Sequence, residues 1–370
     1  MFGTMLLVVG TLLHAYVALR AASVPALARR LPPAARAAVA IGLWLLFLVA
    51  MLVGHDAGGP IGRPLALFGV SWLAALFLVA VPLLVVDLVT GFGILLPRLA
   101  PRLRGWALLA GLLLVAVALV QGMRPAVVSD YEVRLTGLPA ERDGTVIVAL
   151  SDLHAGGTLG SDWLAARVDQ VAALRPDVIV LLGDVFEGHG GPGEALLAQA
   201  RRLSAPLGVW AVTGNHEFHG RSGRSDPSLE AAGFAVLHDR AAELGPGLVL
   251  AGVDDLTSRR RAGIGDGVVS RALADRPPGA VVLLSHTPWQ AETAAAAGVG
   301  LMLSGHTHAG QVWPFSYLVA RRYPLLQGRH EVDGMTVIVS RGTGTWGPRM
   351  RLWRPGEIVR VTLRAAPQSP

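Results

Sequence analysis

The 370-residue chain contains no cysteine. Disulfides, thiolate metal sites and cysteine nucleophiles are therefore excluded. It contains no lysine either, so every formal positive charge on a side chain is an Arg. A lysine Schiff base and a P-loop lysine are ruled out with it. Charge is scarce altogether: charged residues make up 16% of the chain, against roughly a quarter in an ordinary soluble domain. Hydrophobic residues reach 52%. Part of this chain must sit in lipid.

The net charge of +6 is unevenly placed. Up to Pro125 there are 9 Arg against 2 acidic residues, Asp56 and Asp87; from Ala126 onward there are 23 Arg against 24 acidic residues. The basicity belongs to the first third. The remainder is nearly neutral, which argues against a nucleic-acid partner.

Four apolar stretches fill that first third, at about 2–19, 37–53, 65–89 and 106–120. Each is near the ~20 residues needed to cross a bilayer core. None keeps the polar face of a soluble amphipathic helix. The first lacks the basic start and small-residue cleavage site of a signal peptide and reads as a retained span. Arg20, Arg29, Arg30 and Arg36 follow the first stretch, and Arg98, Arg102 and Arg104 follow the third, whereas the loop after the second holds only Arg63. Arginine excess marks loops one and three as cytoplasmic. Both chain ends then lie on the opposite side, so the large C-terminal part is expected outside the cytoplasm. Asp87, near the end of the third stretch, shows no charge partner within the apolar runs and is placed at the membrane interface.

After Arg124 short β-rich runs alternate with helical stretches. Residues 145–150, 177–182, 209–213, 248–253, 280–285 and 301–304 read as buried strands. Residues 161–174 and 194–203 read as helices, and Asp226-Pro227 as an N-cap followed by proline in the first turn. Alternating strands and helices argue for a layered α/β core.

Five of these strands run straight into residues of metal-ligand type. They lead into Asp152-Leu153-His154, Gly183-Asp184, Gly214-Asn215-His216-Glu217, His286, and Gly305-His306-Thr307-His308. Ligands in open α/β sheets gather beyond the carboxyl ends of strands, so the five loops can converge. In an extended segment residues i and i+2 face one side, so Asp-x-His and His-x-His each aim two ligands together. Glycines before Asp184, Asn215 and His306 are expected to let the backbone turn sharply. Imidazole, carboxylate and amide oxygen without sulfur suit Mn, Fe or Zn. Arg341 is a candidate phosphate contact. The run Arg259-Arg260-Arg261 and the aromatics Trp313, Phe315, Tyr317 and Tyr323 are candidate lipid contacts or ordinary packing.

The ordered set resembles the calcineurin-like metallophosphoesterase superfamily, and within it a membrane-anchored, multi-span bacterial branch. Ser-His-Thr-Pro at 285–288, Leu-Ser-Gly-His-Thr-His-Ala-Gly-Gln at 303–311 and Ser-Arg-Gly-Thr-Gly at 340–344 carry the second likeness. The resemblance implies a four-layer αββα sandwich, preceded here by an all-α bundle of four transmembrane helices. The organisation expected is an anchor at 1–125, a linker and first strand at 126–143, the phosphoesterase domain at 144–364 and a tail at 365–370. The resemblance also implies roles. Asp152, His154 and His308 hold one divalent ion; Asn215, His286 and His306 hold the other; Asp184 bridges both; His216 is a metal-free catalytic group, or else a residue behind the ligands. Glu187 departs from the pattern, where a second Asp is the expectation.

Two ions roughly 3.5–4 Å apart share and acidify one water, which attacks phosphorus in line. The function expected is hydrolysis of phosphodiester or pyrophosphate bonds in a lipid or envelope-linked substrate, at the bacterial inner membrane. A tethered phosphomonoesterase for small soluble substrates is the alternative. A non-catalytic receptor or scaffold is disfavoured because all seven ligand positions are filled.

Overall fold

The computed structural model describes residues 2–54, 59–187, 191–218, 227–264 and 267–367. Asp226, read above as an N-cap, and the last residues of the tail lie outside that set. The chain divides into two compact units, one of residues 1–123 with 347–352, the other of residues 124–346 with 353–370.

The first unit is helical. Its elements are α1 (Phe2–Ala22), α2 (Pro25–Arg30), α3 (Pro33–Val53), α4 (Gly59–Val89) and α5 (Ala100–Met123). Four of them, all but the short α2, are long and apolar enough to cross a membrane. The helices run further than the apolar stretches because Arg, Pro and Gly at their ends still continue the backbone. α5 begins six residues before 106 and so includes Arg104.

That extension supplies the charge partners that the apolar runs alone did not show for Asp87. Its side chain is wholly buried, and it has partners. Arg104 donates to Oδ1 from Nε at 2.9 Å and stands 2.8 Å away through Nη2. Arg20 Nε lies 2.6 Å from Oδ2, and the Tyr16 hydroxyl donates to Oδ2 at 2.9 Å. The two arginines counted as loop charges are a last-turn residue of α1 and the fifth residue of α5. Their long side chains reach back to the carboxylate, so one knot of charge ties α1, α4 and α5. A buried carboxylate is tolerable when it is paired and hydrogen-bonded in this way.

The second unit has two six-stranded sheets. Its strands are β1 (Val127–Leu135), β2 (Val146–Leu150), β3 (Val178–Leu181), β4 (Val209–Ala211), β5 (Ala235–Val236), β6 (Arg240–Gly245), β7 (Leu248–Val253), β8 (Ala280–Ser285), β9 (Leu301–Ser304), β10 (Gly328–Val332), β11 (Met335–Val339) and β12 (Glu357–Ala365). One sheet has the order β1-β12-β2-β3-β4-β5, the other β10-β11-β9-β8-β7-β6. In the first, β2 through β5 are parallel and β12 runs antiparallel to β2. In the second, β7, β8, β9 and β11 are parallel, with antiparallel β6 and β10 at the edges.

Alternation along the strands builds the layers. Ile147 and Ala149 of β2 join Leu248, Leu250, Val282, Leu284, Leu301 and Leu303 in a core between the sheets. Val148 and Leu150 face the other way and pack on Leu164, Val168 and Val171 of helix Ser161–Ala173. On the far side, Val249, Ala251, Val281 and Leu283 pack on Val269, Ala272 and Leu273 of helix Val268–Ala274. Both strand faces are covered, which is why β2, β3, β7, β8 and β9 are apolar throughout. The result is the four-layer αββα sandwich. The carboxyl ends of β2, β3 and β4 in one sheet and β8 and β9 in the other carry every residue singled out for metal chemistry.

Candidate metal centre

Three groups of ligand-type side chains form at those strand ends. Asp152 is fully buried; its Oδ2 accepts the Ser151 hydroxyl and the His306 backbone N–H at 3.1 Å. Its Oδ1 lies 3.3 Å from His308 Nε2, and that nitrogen stands 3.1 Å from His154 Nε2. Asp152, His154 and His308 thus offer ligand atoms within 4.8 Å of one another. Asp184, His286 and His306 form a second group within the same distance. In it His286 Nε2 lies 3.2 Å from Asp184 Oδ2 and 3.1 Å from His306 Nδ1. Asp184 Oδ2 is also 3.9 Å from His154 Nε2 and 3.8 Å from His216 Nε2, and these three make the third group. Asp184 therefore stands between the first two. Asn215 is buried, and its Oδ1 has no hydrogen-bond donor among the described residues.

The donor set fits divalent cations. His286 Nδ1 lies 2.7 Å from the Leu182 carbonyl, which can only accept, so Nδ1 carries the proton. Nε2 then turns a lone pair toward the Asp184 carboxylate. His154 Nδ1 is 2.9 Å from Glu187 Oε1, which by the same logic leaves the lone pair of Nε2 facing His308. Lone pairs aimed at lone pairs and at carboxylates suit a cation between them, and outer partners that fix the tautomer are typical of metal-ligating histidines. The orphaned Asn215 oxygen belongs to the same pattern.

The electrostatics agree. Burial alone would raise the Asp184 carboxyl, but His286, His216 and His154 around it hold it well below the ordinary range. Burial resists charging His286, yet Asp184 and Asp152 pull its pKa well up. His306, buried and beside His286, falls to about 4. At His216 burial is outweighed by Asp184, Glu187 and Glu217, and the pKa rises to about 9. Two buried carboxylates make a negative field that divalent ions would neutralise.

Local backbone differs from the extended geometry expected of Asp-x-His and His-x-His. Asp152, His154, Asp184, His306 and His308 have φ of 51°, 46°, 52°, 68° and 47°. The left-handed region costs a non-glycine residue about 1–3 kcal/mol and clusters at functional sites. Each pair converges through two sharp left-handed turns, not through a pleat. The glycines also act otherwise than expected. Gly183 does turn, at φ 88°, but Gly214 and Gly305 are needed for space. A Cβ on Gly214 would stand 2.2 Å from Asp184 Oδ1, and one on Gly305 2.6 Å from Asp152 Oδ2. Gly214→Ala is accordingly expected to displace Asp184 and to lower activity about a hundredfold, as misplacements near 1 Å do. Elemental analysis of the purified variant should show lost metal; full metal content with normal turnover would contradict it.

Three residues with no assigned role support the groups. Glu187 reaches both His154 and His216, whose Nδ1 lies 2.7 Å from the same Oε1. Glu217 is buried and accepts three backbone N–H groups, from Asp184 at 2.9 Å, Val185 at 2.8 Å and Gly214 at 2.6 Å. The Tyr323 hydroxyl is 2.8 Å from His306 Nε2. Glu217 was legible as the last residue of Gly-Asn-His-Glu and Glu187 as the departure from an expected Asp, whereas Tyr323 stood out only as one of several aromatics after His308. Arg341, a candidate phosphate contact, is engaged elsewhere: Nε and Nη2 donate to buried Glu357 at 3.0 and 2.7 Å.

The model of the calcineurin-like phosphoesterase family matches residues 145–310. A transmembrane protein with metallophosphoesterase domain from Danio rerio is 32% identical over 272 residues, covering 70% of this chain and 62% of that protein. The Bos taurus protein of the same description is 33% identical over 280 residues, with the same two coverages. An uncharacterized metallophosphoesterase of Aquifex aeolicus is 34% identical over 246 residues, covering 64% of this chain and 91% of that protein. The chain thus spans less than two thirds of the two vertebrate relatives and nearly all of the Aquifex one.

Proposed function

The chain belongs to the calcineurin-like metallophosphoesterases, metal-dependent hydrolases of phosphoric esters, and from that premise we propose that it cleaves phosphodiester or pyrophosphate bonds in a lipid or envelope-linked substrate. Asp152, His154 and His308 would hold one divalent ion, Asn215, His286 and His306 the other, with Asp184 placed to serve both. The observation that carries this is the position of Asp184, within 4 Å of imidazole nitrogens from each group.

Divalent ions held there would supply Lewis-acid polarisation of the phosphoryl oxygens and a water of lowered pKa. The protein's own groups do the rest. Glu187 anchors Nδ1 of His216 and so turns the Nε2 edge toward Asp184 and the reacting side. From that edge His216 gives a proton to the leaving oxygen or stabilises charge on it. The His216 backbone N–H donates to Asp184 Oδ1 at 2.8 Å, which keeps acid and shared carboxylate in register.

Support for a lipid-linked substrate comes from four membrane-length helices in the same chain. Exposed Phe315, Tyr317 and Leu318 follow His308 closely, the composition of a surface that meets a bilayer interface. Trp346, also exposed, packs edge-on to His216 at 6.4 Å. The arginine bias of loops one and three supports an extracytoplasmic domain on a bacterial inner membrane.

The test is turnover by the full-length chain in a nonionic detergent, supplied with Mn, Fe or Zn in turn. Substrates are p-nitrophenyl phosphate, bis(p-nitrophenyl) phosphate and a lipid pyrophosphate. Turnover selective for diester or pyrophosphate, abolished by chelation and restored by metal, is the expected result. Turnover of the monoester alone would instead establish the tethered phosphomonoesterase.

A further inference from the structure

Trp289 and Tyr323 stack beside the His286–His306 group, with ring centroids 5.6 Å apart and planes 19° from parallel. The stack is joined to that group, since the Tyr323 ring lies 4.9 Å from the His306 ring and its hydroxyl meets Nε2. Arg322 lies over both aromatics, 4.5 Å from the Trp289 centroid and 5.9 Å from that of Tyr323. Arg260 lies over Trp289 at 5.8 Å. Arg260, Arg261 and Arg322 are exposed, and among the described residues none makes an ion pair with a carboxylate. Arg259 differs: it spans Asp239 at 2.5 Å and Asp254 at 2.6 Å. The buried carboxylate of Asp255, the N-cap of the helix that carries Arg260, is occupied by Thr257, Ser258 and Thr287.

A single arginine over an aromatic ring would serve as a packing staple. Two exposed arginines over the same Trp289 ring, neither in an ion pair with a carboxylate among the described residues, repel one another, and an anion relieves that repulsion. A guanidinium held over a ring spends none of its N–H groups on the ring's acceptors, and its fork of donors matches phosphate. The platform begins at a candidate metal ligand, so an anion on it and a phosphate at the metals are within reach of one molecule.

We infer that the Arg260–Trp289–Arg322–Tyr323 platform is a substrate subsite for a second phosphate, carried on a spacer beyond the phosphate under attack. It selects substrates bearing two separated phosphates over those bearing one. The inference rests on the phosphoesterase reading of the metal groups.

Calorimetry on the full-length, Mn-loaded protein in nonionic micelles tests it, with butyl phosphate and the bisphosphate of butanediol as probes. Wild type should bind the bisphosphate about tenfold or more tightly, the worth of one charge-assisted contact. Arg322→Ala should lose that advantage and leave butyl phosphate unchanged. Arg322→Lys should recover only part, because an ammonium neither forks nor stacks in the same way. Equal affinities in wild type, or equal weakening of both probes by Arg322→Ala, would overturn the subsite. Phosphatidic acid in the micelles separates a lipid source. If Arg322→Ala removes a preference for those micelles but keeps bisphosphate selectivity, the platform is a membrane contact and the inference fails. Turnover of bis(p-nitrophenyl) phosphate by the same preparations reads the parent assignment separately. Bisphosphate preference without turnover supports the subsite and sinks the enzyme reading; turnover without preference does the reverse.

Discussion

Asp184→Asn should lower turnover about a thousandfold or more while the chain still folds. The substitution is nearly isosteric, so the Gly214 backbone packed against Oδ1 loses no space. What changes is charge and donor character. Asp184 Oδ2 faces His286 at 3.2 Å, His216 at 3.8 Å and His154 at 3.9 Å. An amide keeps one oxygen, which can still accept the His216 backbone N–H. Its nitrogen must then point its hydrogens where two cations are meant to share an anion. On the two-metal reading both ions would lose their common ligand, so metal content should fall together with activity. Far-UV circular dichroism and the melting temperature guard against a trivial unfolding result. Wild-type turnover and full metal in purified Asp184→Asn would end the two-metal reading.

The legible parts of this protein were those encoded by local runs of sequence. Parallel strands buried on both faces are apolar end to end, so Val146–Leu150, Val178–Leu181, Ala280–Ser285 and Leu301–Ser304 stood out within a residue or so at either end. Each stops at a ligand-type residue, and that order made the ligand set visible as a set. β12 was missed, although it lies inside its sheet between β1 and β2, because Arg360, Thr362 and Arg364 interrupt its apolar pattern. Relations across the fold were illegible for a different reason. Asp87 looked unpaired because Arg20 and Arg104 are 67 and 17 residues distant in sequence. The acceptance of His154 and His216 by one Glu187 oxygen depends on three loops meeting, and the Tyr323–His306 contact on a separation of 17 residues closing. The left-handed backbone at five of the candidate ligands has only a weak signal in residue type: Asp and His are enriched in that region, but most Asp and His residues do not adopt it.

Glu217→Ala should destabilise the second unit by about 3–5 kcal/mol, the cost of stranding several buried backbone donors. The carboxylate of Glu217 gathers the N–H groups of Asp184, Val185 and Gly214, two from the loop after β3 and one from the loop after β4. Glu217 is 5% exposed, so solvent does not compete for these donors in the native chain. The same three bonds hold the left-handed turn at Asp184 against its intrinsic cost. For a unit of this size the melting temperature should drop on the order of 10 °C, read by tryptophan fluorescence. Glu217→Gln discriminates between charge and hydrogen bonding. Its single oxygen can keep the Asp184 and Gly214 donors, which share Oε2 in the native chain, while its amide opposes the Val185 N–H. The Gln variant should therefore lose roughly one bond's worth of stability, about 1–3 kcal/mol. Were charge the deciding factor the outcome would invert: burial and the nearby Asp184 raise the proton affinity of Glu217, so removing its charge would stabilise the unit. An Ala variant that melts with wild type, or a Gln variant that melts above it, would show that Glu217 is not what joins the two loops beneath the metal groups.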